Sequence, residues 1–384
     1  MPSLNFDIDA HKDFEFGSGT KRSISYSIDI PDGETKGLVV YVAGFGDDAV
    51  SYRENFQKHI SKDYSMACLI VDYHCFYSRP NNGAQLSIEP HVMKLIRSIT
   101  GSAAGESVDT VFLKLGKMKA DANIPLKIPG ILYPGKNEYQ NFGILPALDN
   151  IYAINDVLKR FPDIPKTIYA IGTSYGGYIA NLMSKLAPCT LNAVFDNSSW
   201  AAPNPAYIIG RDLGVPEFSA VHSPGIIIEL NVLSPWSSIP FMPNSFDNNR
   251  ILIRSFPEKH INVMGETGKQ KTVYRFVHAE NDAIANTQQK LEFAENLKNR
   301  GFNVEIEVYS ASDIDGKYIK SMDHGMGLSM RSFFSNCYEK TKGDIMVDNR
   351  IDFDFEHSFG FVCETQKYTM TYNGDSQPVC SLSD

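Results

Sequence analysis

A serine hydroxyl is a poor nucleophile at neutral pH unless a base takes its proton and nearby dipoles receive the charge that follows. One serine in this chain is framed for that chemistry: Gly172-Thr173-Ser174-Tyr175-Gly176, with a further Gly177. The string follows a run of β-formers, Thr167 to Ile171, and leads into the helical pattern "IANLMSKL". In a nucleophile elbow the serine takes a strained conformation between strand and helix. The flanking positions must then be bare, because a Cβ there would collide with the crossing backbone. The turn lifts the hydroxyl above the sheet edge and aims the N–H groups of a helix start at developing negative charge. A plain Gly/Ser turn would spell the same letters; the position between an apolar strand and a helix favours the elbow.

The base and its orienting acid follow in the order Ser, Asp or Glu, His. The acid is expected after the next-but-one strand, where "VYRFVHAENDAIANTQQ" offers Glu280 and Asp282. Asp282 stands where the strand has ended and a helix is about to begin, so it is the first choice, with Glu280 as substitute. A helix cap alone would also put an aspartate there. The base is expected after the last strand, in "SMDHGMGLSMRSFF", which is His324. Position removes the other histidines: His11, His59, His74 and His91 precede the elbow, His222 and His260 lie in an insertion, and His357 lies in the tail. His278 is inside a strand and reads as a core histidine. Two oxyanion donors are expected, the N–H of Tyr175 directly after the serine and that of Phe45 in Gly44-Phe45-Gly46 after "VVYVA". Ligands of open α/β sheets bind beyond the carboxyl ends of the strands. By that rule Tyr73, His74 and Arg79 in "DYHCFYSRP", and Asn197, Ser198 and Trp200 in "FDNSSW", are candidate substrate contacts. No His, Asp or Cys spacing recurs that suggests a metal site, and the chemistry needs no cofactor.

The elements that must position these groups are legible as alternation. "TKRSISYSIDIPDGET" alternates apolar and polar, as a strand with one wet face would. "GLVVYV", "MACLIVDY", "TIYAIG", "LNAVFD", "VYRFVH" and "VEIEVY" are apolar on consecutive positions, the pattern of strands covered on both faces. Helical patterns intervene, among them "SYRENFQKHISKD", "ILPALDNIYAINDVLKRF" and "NTQQKLEFAENLKNRG". The expected fold class is α/β: a mostly parallel, doubly wound sheet. Two long stretches break the alternation, at about 81–138 and 201–271, and are expected to form a cap inserted into a domain over 1–341. Residues 342–384 read as a β-rich extension, an appended hairpin.

Bulk properties narrow the function classes. A net charge of −9 argues against a nucleic-acid surface or a polybasic membrane anchor. The first residues lack the basic start and apolar core of a signal peptide, and no apolar run is long enough to span a bilayer. Six cysteines show no paired spacing, with Cys68 and Cys189 set beside apolar patterns as buried thiols, which favours a reducing, cytoplasmic setting.

Across roughly residues 20 to 340, with Ser174, Asp282 and His324 in order, the chain resembles the α/β-hydrolase superfamily. It is similar to its prolyl-oligopeptidase-like and acyl-esterase branches, without a propeller-sized N-terminal domain. The strings "VAGFG", "DYHCFYSRPNNGA", "KNEYQNFGILPA", "FDNSSW" and "IDGKYIKSMDHGMGLS" look like an uncharacterised bacterial family found in flagellin-glycosylation gene regions. That resemblance implies a setting of glycan or nonulosonic-acid modification. The expected function is hydrolysis of carboxylic esters through an acyl-enzyme, with a small molecule or glycan as substrate and neither nucleic acid nor membrane as partner. O-acyl transfer to a sugar hydroxyl, peptide hydrolysis, and a non-catalytic binding module on the same fold are the alternatives.

Overall fold

The computed structural model describes residues 3–17, 21–45, 50–119, 125–223, 225–345, 350–374 and 376–383. The chain divides into two compact units, Met1–His74 with Phe142–Pro203 and Asp247–Asp384, and Cys75–Asn141 with Asn204–Phe246.

The first unit is built on an eight-stranded sheet. Its strands are β1 (Leu4–Asp9), β2 (Ser23–Asp29), β3 (Leu38–Val42), β4 (Ala67–Asp72), β5 (Ile168–Thr173), β6 (Ala193–Asn197), β7 (Val273–Ala279) and β8 (Val304–Tyr309). They lie in the order β1-β2-β4-β3-β5-β6-β7-β8. β1 and β2 are antiparallel, as are β2 and β4, while every pairing from β4 to β8 is parallel. Consecutive residues of β3, β6 and β7 are buried, which requires cover on both faces. Helices α1 (Val50–Tyr64) and α5 (Met330–Thr341) pack on each other and on the sheet. So do α2 (Ile144–Arg160) and α3 (Tyr175–Leu186). Helix α4 (Thr287–Asn299) packs on β8. This is the α/β architecture expected from the sequence, with a mostly parallel sheet of the α/β-hydrolase type. β1 is an addition, since its mostly exposed residues carry little burial pattern.

The tail forms three antiparallel strands rather than a hairpin: Glu356–Val362, Lys367–Asn373 and Val379–Ser383. Side chains fasten this small sheet to the helices. Tyr372 Oη donates to the Leu186 carbonyl (2.7 Å), and Tyr152 Oη donates to that of Pro378 (2.6 Å). Burial removes hydroxyls from water, so each must find an acceptor in the protein.

The second unit has its own sheet, with Gln85–Ser87, Leu126–Tyr133, Ile226–Val232 and Phe218–Ser223 side by side in that order. Helices Pro90–Thr100 and Val108–Lys119 supply a core of Ile96, Val111, Phe112 and Leu115 that packs with Ile128 and Ile226. Of the stretch 201–271, only Asn204–Phe246 joins this unit. Asn248–Ile253 and Glu258–Gly268 are helices of the first unit.

Candidate active site

The elbow forms because glycine is the residue that fits at three places. A Cβ on Gly172 would lie 2.3 Å from the Gly176 carbonyl carbon, and one on Gly176 would lie 2.0 Å from the Val42 carbonyl oxygen. One on Gly177 would lie 2.6 Å from Asp196 Oδ1. Strand β5, helix α3 and β3 therefore approach at backbone distance, the Asp196 side chain of β6 closes in on α3, and the residue at the bend absorbs the turn. Ser174 has φ +56° and ψ −124°, a conformation an L-residue holds only when its surroundings enforce it. The enforcement is visible: its N–H donates to the Asn197 carbonyl (2.8 Å), and its carbonyl accepts from Tyr178 N–H (3.1 Å).

Asp282 follows β7, and its side chain is fully buried. Oδ1 accepts the N–H groups of Ile284 (2.8 Å) and Ala285 (2.9 Å), which fixes the carboxylate plane. Both oxygens face His324 Nδ1, at 3.0 and 2.8 Å. Burial alone would raise the carboxyl pKa. The His324 hydrogen bond and the two backbone donors outweigh it and hold Asp282 below its ordinary value. Capping of α4 falls instead to Asn286, whose side chain accepts from Gln289 N–H (2.9 Å). Glu280 is exposed, and its N–H donates to the Tyr309 carbonyl. With Nδ1 engaged by Asp282, His324 turns Nε2 elsewhere; that atom is buried and has no hydrogen-bond partner among the described residues.

Asn197 ties the two loops together. Its Nδ2 donates to the Gly325 carbonyl (3.1 Å), one residue past His324, and to Thr173 Oγ1 (3.4 Å), one residue before Ser174. A Cβ on Gly325 would stand in van der Waals contact with the Thr173 methyl, at 3.4 Å. The histidine loop and the elbow thus meet at the carboxyl end of β5 and β6. Asn197 was expected as a substrate contact; fully buried, it serves as the fastening between these loops.

The remaining expected residues divide. Phe45 and Tyr175 are stacked face to face, with ring centroids 3.8 Å apart and planes at 7°. Tyr73 donates its hydroxyl to the Ala43 carbonyl (2.7 Å) and sets its ring edge-on to Tyr175. Trp200 donates Nε1–H to the Ile284 carbonyl (2.9 Å), and its ring lies 6.1 Å from that of His324. His74 is buried, with its backbone N–H on Asp149 Oδ2 (2.7 Å). Arg79 belongs to the second unit, where it pairs with buried Glu217 and lies over the Phe218 ring. Gly46 lies outside the described residues.

Phe142 had no readable signal, whereas His278, expected as a core histidine, is fully buried beside the acid. Phe142 is fully buried at φ +55° and packs against Tyr175 and Trp200 (5.2 and 5.6 Å). Its proximity to the elbow follows from tertiary packing alone. His278 Nε2 engages the Ala285 carbonyl (2.9 Å) and lies 3.8 Å from Asp282 Oδ2. Burial lowers its pKa, so it supports the acid's loop as a neutral ring. Among the described residues no three His, Cys, Asp or Glu side chains gather as a metal site, and no helix is long and apolar enough to cross a membrane. The cysteines are free thiols, and Cys189 is half-buried rather than buried.

The chain belongs to the family described as "Protein of unknown function (DUF2920)", whose model matches residues 4–377. No curated protein matches its sequence. Among solved structures it is similar to an acylaminoacyl peptidase from Pyrococcus horikoshii, at 14% identity and a TM-score of 0.44 over 88% of this chain. The chain spans 41% of that peptidase's length. It is also similar to Est1E from Butyrivibrio proteoclasticus, solved with ferulic acid bound, at 12% identity, 88% of this chain, 99% of that one and a TM-score of 0.42. A highly thermostable carboxyl esterase from Bacillus coagulans, in complex with glycerol, matches at 13% identity over 81% of this chain and 91% of its own, with a TM-score of 0.43.

Proposed function

We propose that this DUF2920 protein is a serine hydrolase of carboxylic esters. One observation carries the reading: an imidazole held through Nδ1 by a buried carboxylate, with Nε2 buried and unpartnered among the described residues, on a loop that Asn197 fastens to the strained elbow. Ser174 Oγ attacks the ester carbonyl while His324 Nε2 takes its proton. Asp282 keeps the other ring proton on Nδ1 and stabilises the imidazolium. The oxyanion of the tetrahedral intermediate is received by the N–H groups of Tyr175, at the start of the twelve-residue helix α3, and of Phe45, in the loop after β3. The imidazolium then returns its proton to the departing alcohol, leaving an acyl-enzyme that water opens by the same steps in reverse order.

The substrate class we put forward is an O-acyl ester on a sugar or nonulosonic acid, supported by the string resemblance to the flagellin-glycosylation-associated family. Hydrolysis of p-nitrophenyl acetate and labelling by a fluorophosphonate test the core of the reading. The intact protein is expected to do both. Ser174→Ala is expected to do neither, with turnover lower by on the order of 10⁴–10⁶. An undiminished rate in Ser174→Ala removes the assignment, and folded wild-type protein that resists the fluorophosphonate points to a binding module. Acetate release from an O-acetylated nonulosonic acid tests the substrate. Transfer of the acyl group to an added sugar, or faster cleavage of peptides than of esters, would redirect the reading to an acyltransferase or a peptidase.

A further inference from the structure

The two residues whose backbone N–H groups are assigned to the oxyanion lie 130 positions apart in the chain and are joined through their side chains. Gly44, just before Phe45, adds no side-chain anchor: a Cβ there would already be 3.0 Å from the Thr173 carbonyl oxygen. The grip on this loop comes from rings. Phe45 lies flat on Tyr175, at 3.8 Å and 7°, and Tyr175 is itself fixed by Tyr73 and Phe142 (6.0 and 5.2 Å). Tyr73 also holds the Ala43 carbonyl two residues before Phe45. Phe45 also meets Trp200 edge-on at 6.4 Å, and Trp200 meets His324. A continuous line of aromatic rings therefore runs from the oxyanion residues to the imidazole.

Two donors act together only when both point at the place the oxyanion will occupy, and that spacing must be held to a fraction of an ångström. We propose that the Phe45–Tyr175 stack is a positioning clamp that sets the distance between the two backbone donors, so that the Phe45 side chain acts on the transition state rather than on substrate binding. The proposal rests on the serine-hydrolase reading above. Phe45 and Tyr175 side chains are positioning residues here, since neither ring is asked to touch the reacting atoms.

The test measures kcat and KM on p-nitrophenyl acetate, and the rate of fluorophosphonate labelling, for Phe45→Leu, Phe45→Tyr, Tyr175→Leu and the Phe45→Leu/Tyr175→Leu double variant. Thermal melts establish that each variant is folded, with Phe45→Met standing in should Phe45→Leu not fold. Loss of the ring is expected to lower kcat by about 10²-fold, the scale of an ångström of misplacement. KM and the shape of the pH profile are expected to stay as in wild type. Labelling should slow with kcat, and Phe45→Tyr should restore most of the rate. The double variant should be no slower than the worse single one, because a clamp is lost once. A Phe45→Leu protein whose defect lies wholly in KM would make Phe45 a wall of the substrate pocket and overturn the clamp. Additive losses in the double variant, or a Phe45→Tyr protein as slow as Phe45→Leu, would overturn it as well. Wild-type protein that neither turns over ester nor takes the label removes the underlying reading, an outcome distinct from all of these.

Discussion

Helix α3 has two unlike ends. At its N-terminus the backbone of Ser174 is strained, three glycines admit neighbouring chains at distances no Cβ would allow, and the His324 loop is fastened alongside. At its C-terminus the polar groups are closed off. Lys185, fully buried, reaches the carbonyls of Ile253 (2.5 Å) and Ser255 (2.7 Å) and His260 Nδ1 (3.0 Å). The Leu186 carbonyl takes the Tyr372 hydroxyl. Strain persists only where the surroundings over-determine it, and here the saturated end anchors the helix whose other end is strained at Ser174.

The contrast can be attacked from either side. The largest effect is expected from Gly176→Ala. With the Val42 carbonyl oxygen 2.0 Å from the new Cβ, β3 or α3 must move, at a cost above about 4 kcal/mol. Urea denaturation should find the variant unfolded or severely destabilised, and a wild-type midpoint would show the elbow is not tightly packed. At the quiet end, Lys185→Met removes a buried amino group but strands the carbonyls it served, an expected loss of about 1–3 kcal/mol. The same denaturation measures it.

The third effect is a dependence on pH, spread over several pH units. His260 is pushed down to about 3, first by burial and then by the charge of Lys185. Its unfolded value is near 6.5, so between pH of about 6.5 and 3 the unfolded chain binds the proton that the folded one refuses. Stability supplied by the neutral ring is complete above that window and drains away as pH falls through it. His260→Gln is expected to flatten the acid limb of the stability curve, and Lys185→Met to shift that limb by raising the folded pKa of His260. Identical limbs in wild type and His260→Gln would mean that other groups govern acid sensitivity.

How much of this was readable in the sequence depends on the range of the interaction. Gly172, Ser174 and Gly176 were legible because the elbow is a steric problem solved within five residues. Asp282 and His324 were legible because strand order places them after β7 and β8. The Phe45–Tyr175 stack was not, since no periodicity relates two rings that far apart in the chain. Asn197 stands out in the sequence by its position, but its part in joining Thr173 to Gly325 depends on two loops that only the folded chain brings together. Arg79 sat beside Tyr73 in the sequence, yet the chain passes into the second unit between them, and Glu217 claims the guanidinium there. Helices Asn248–Ile253 and Glu258–Gly268 fall inside the expected insertion 201–271 because the prolines and polar residues before them mask the boundary.

The grip of Tyr372 on the last turn of α3 bears on how the molecule can be handled at the bench. A polypeptide trimmed to end before the three-stranded tail would lose the splint on the far end of the very helix that begins beside Ser174. Any property measured on such a shortened protein would then report a loosened turn at Ser174, and say little about the intact chain.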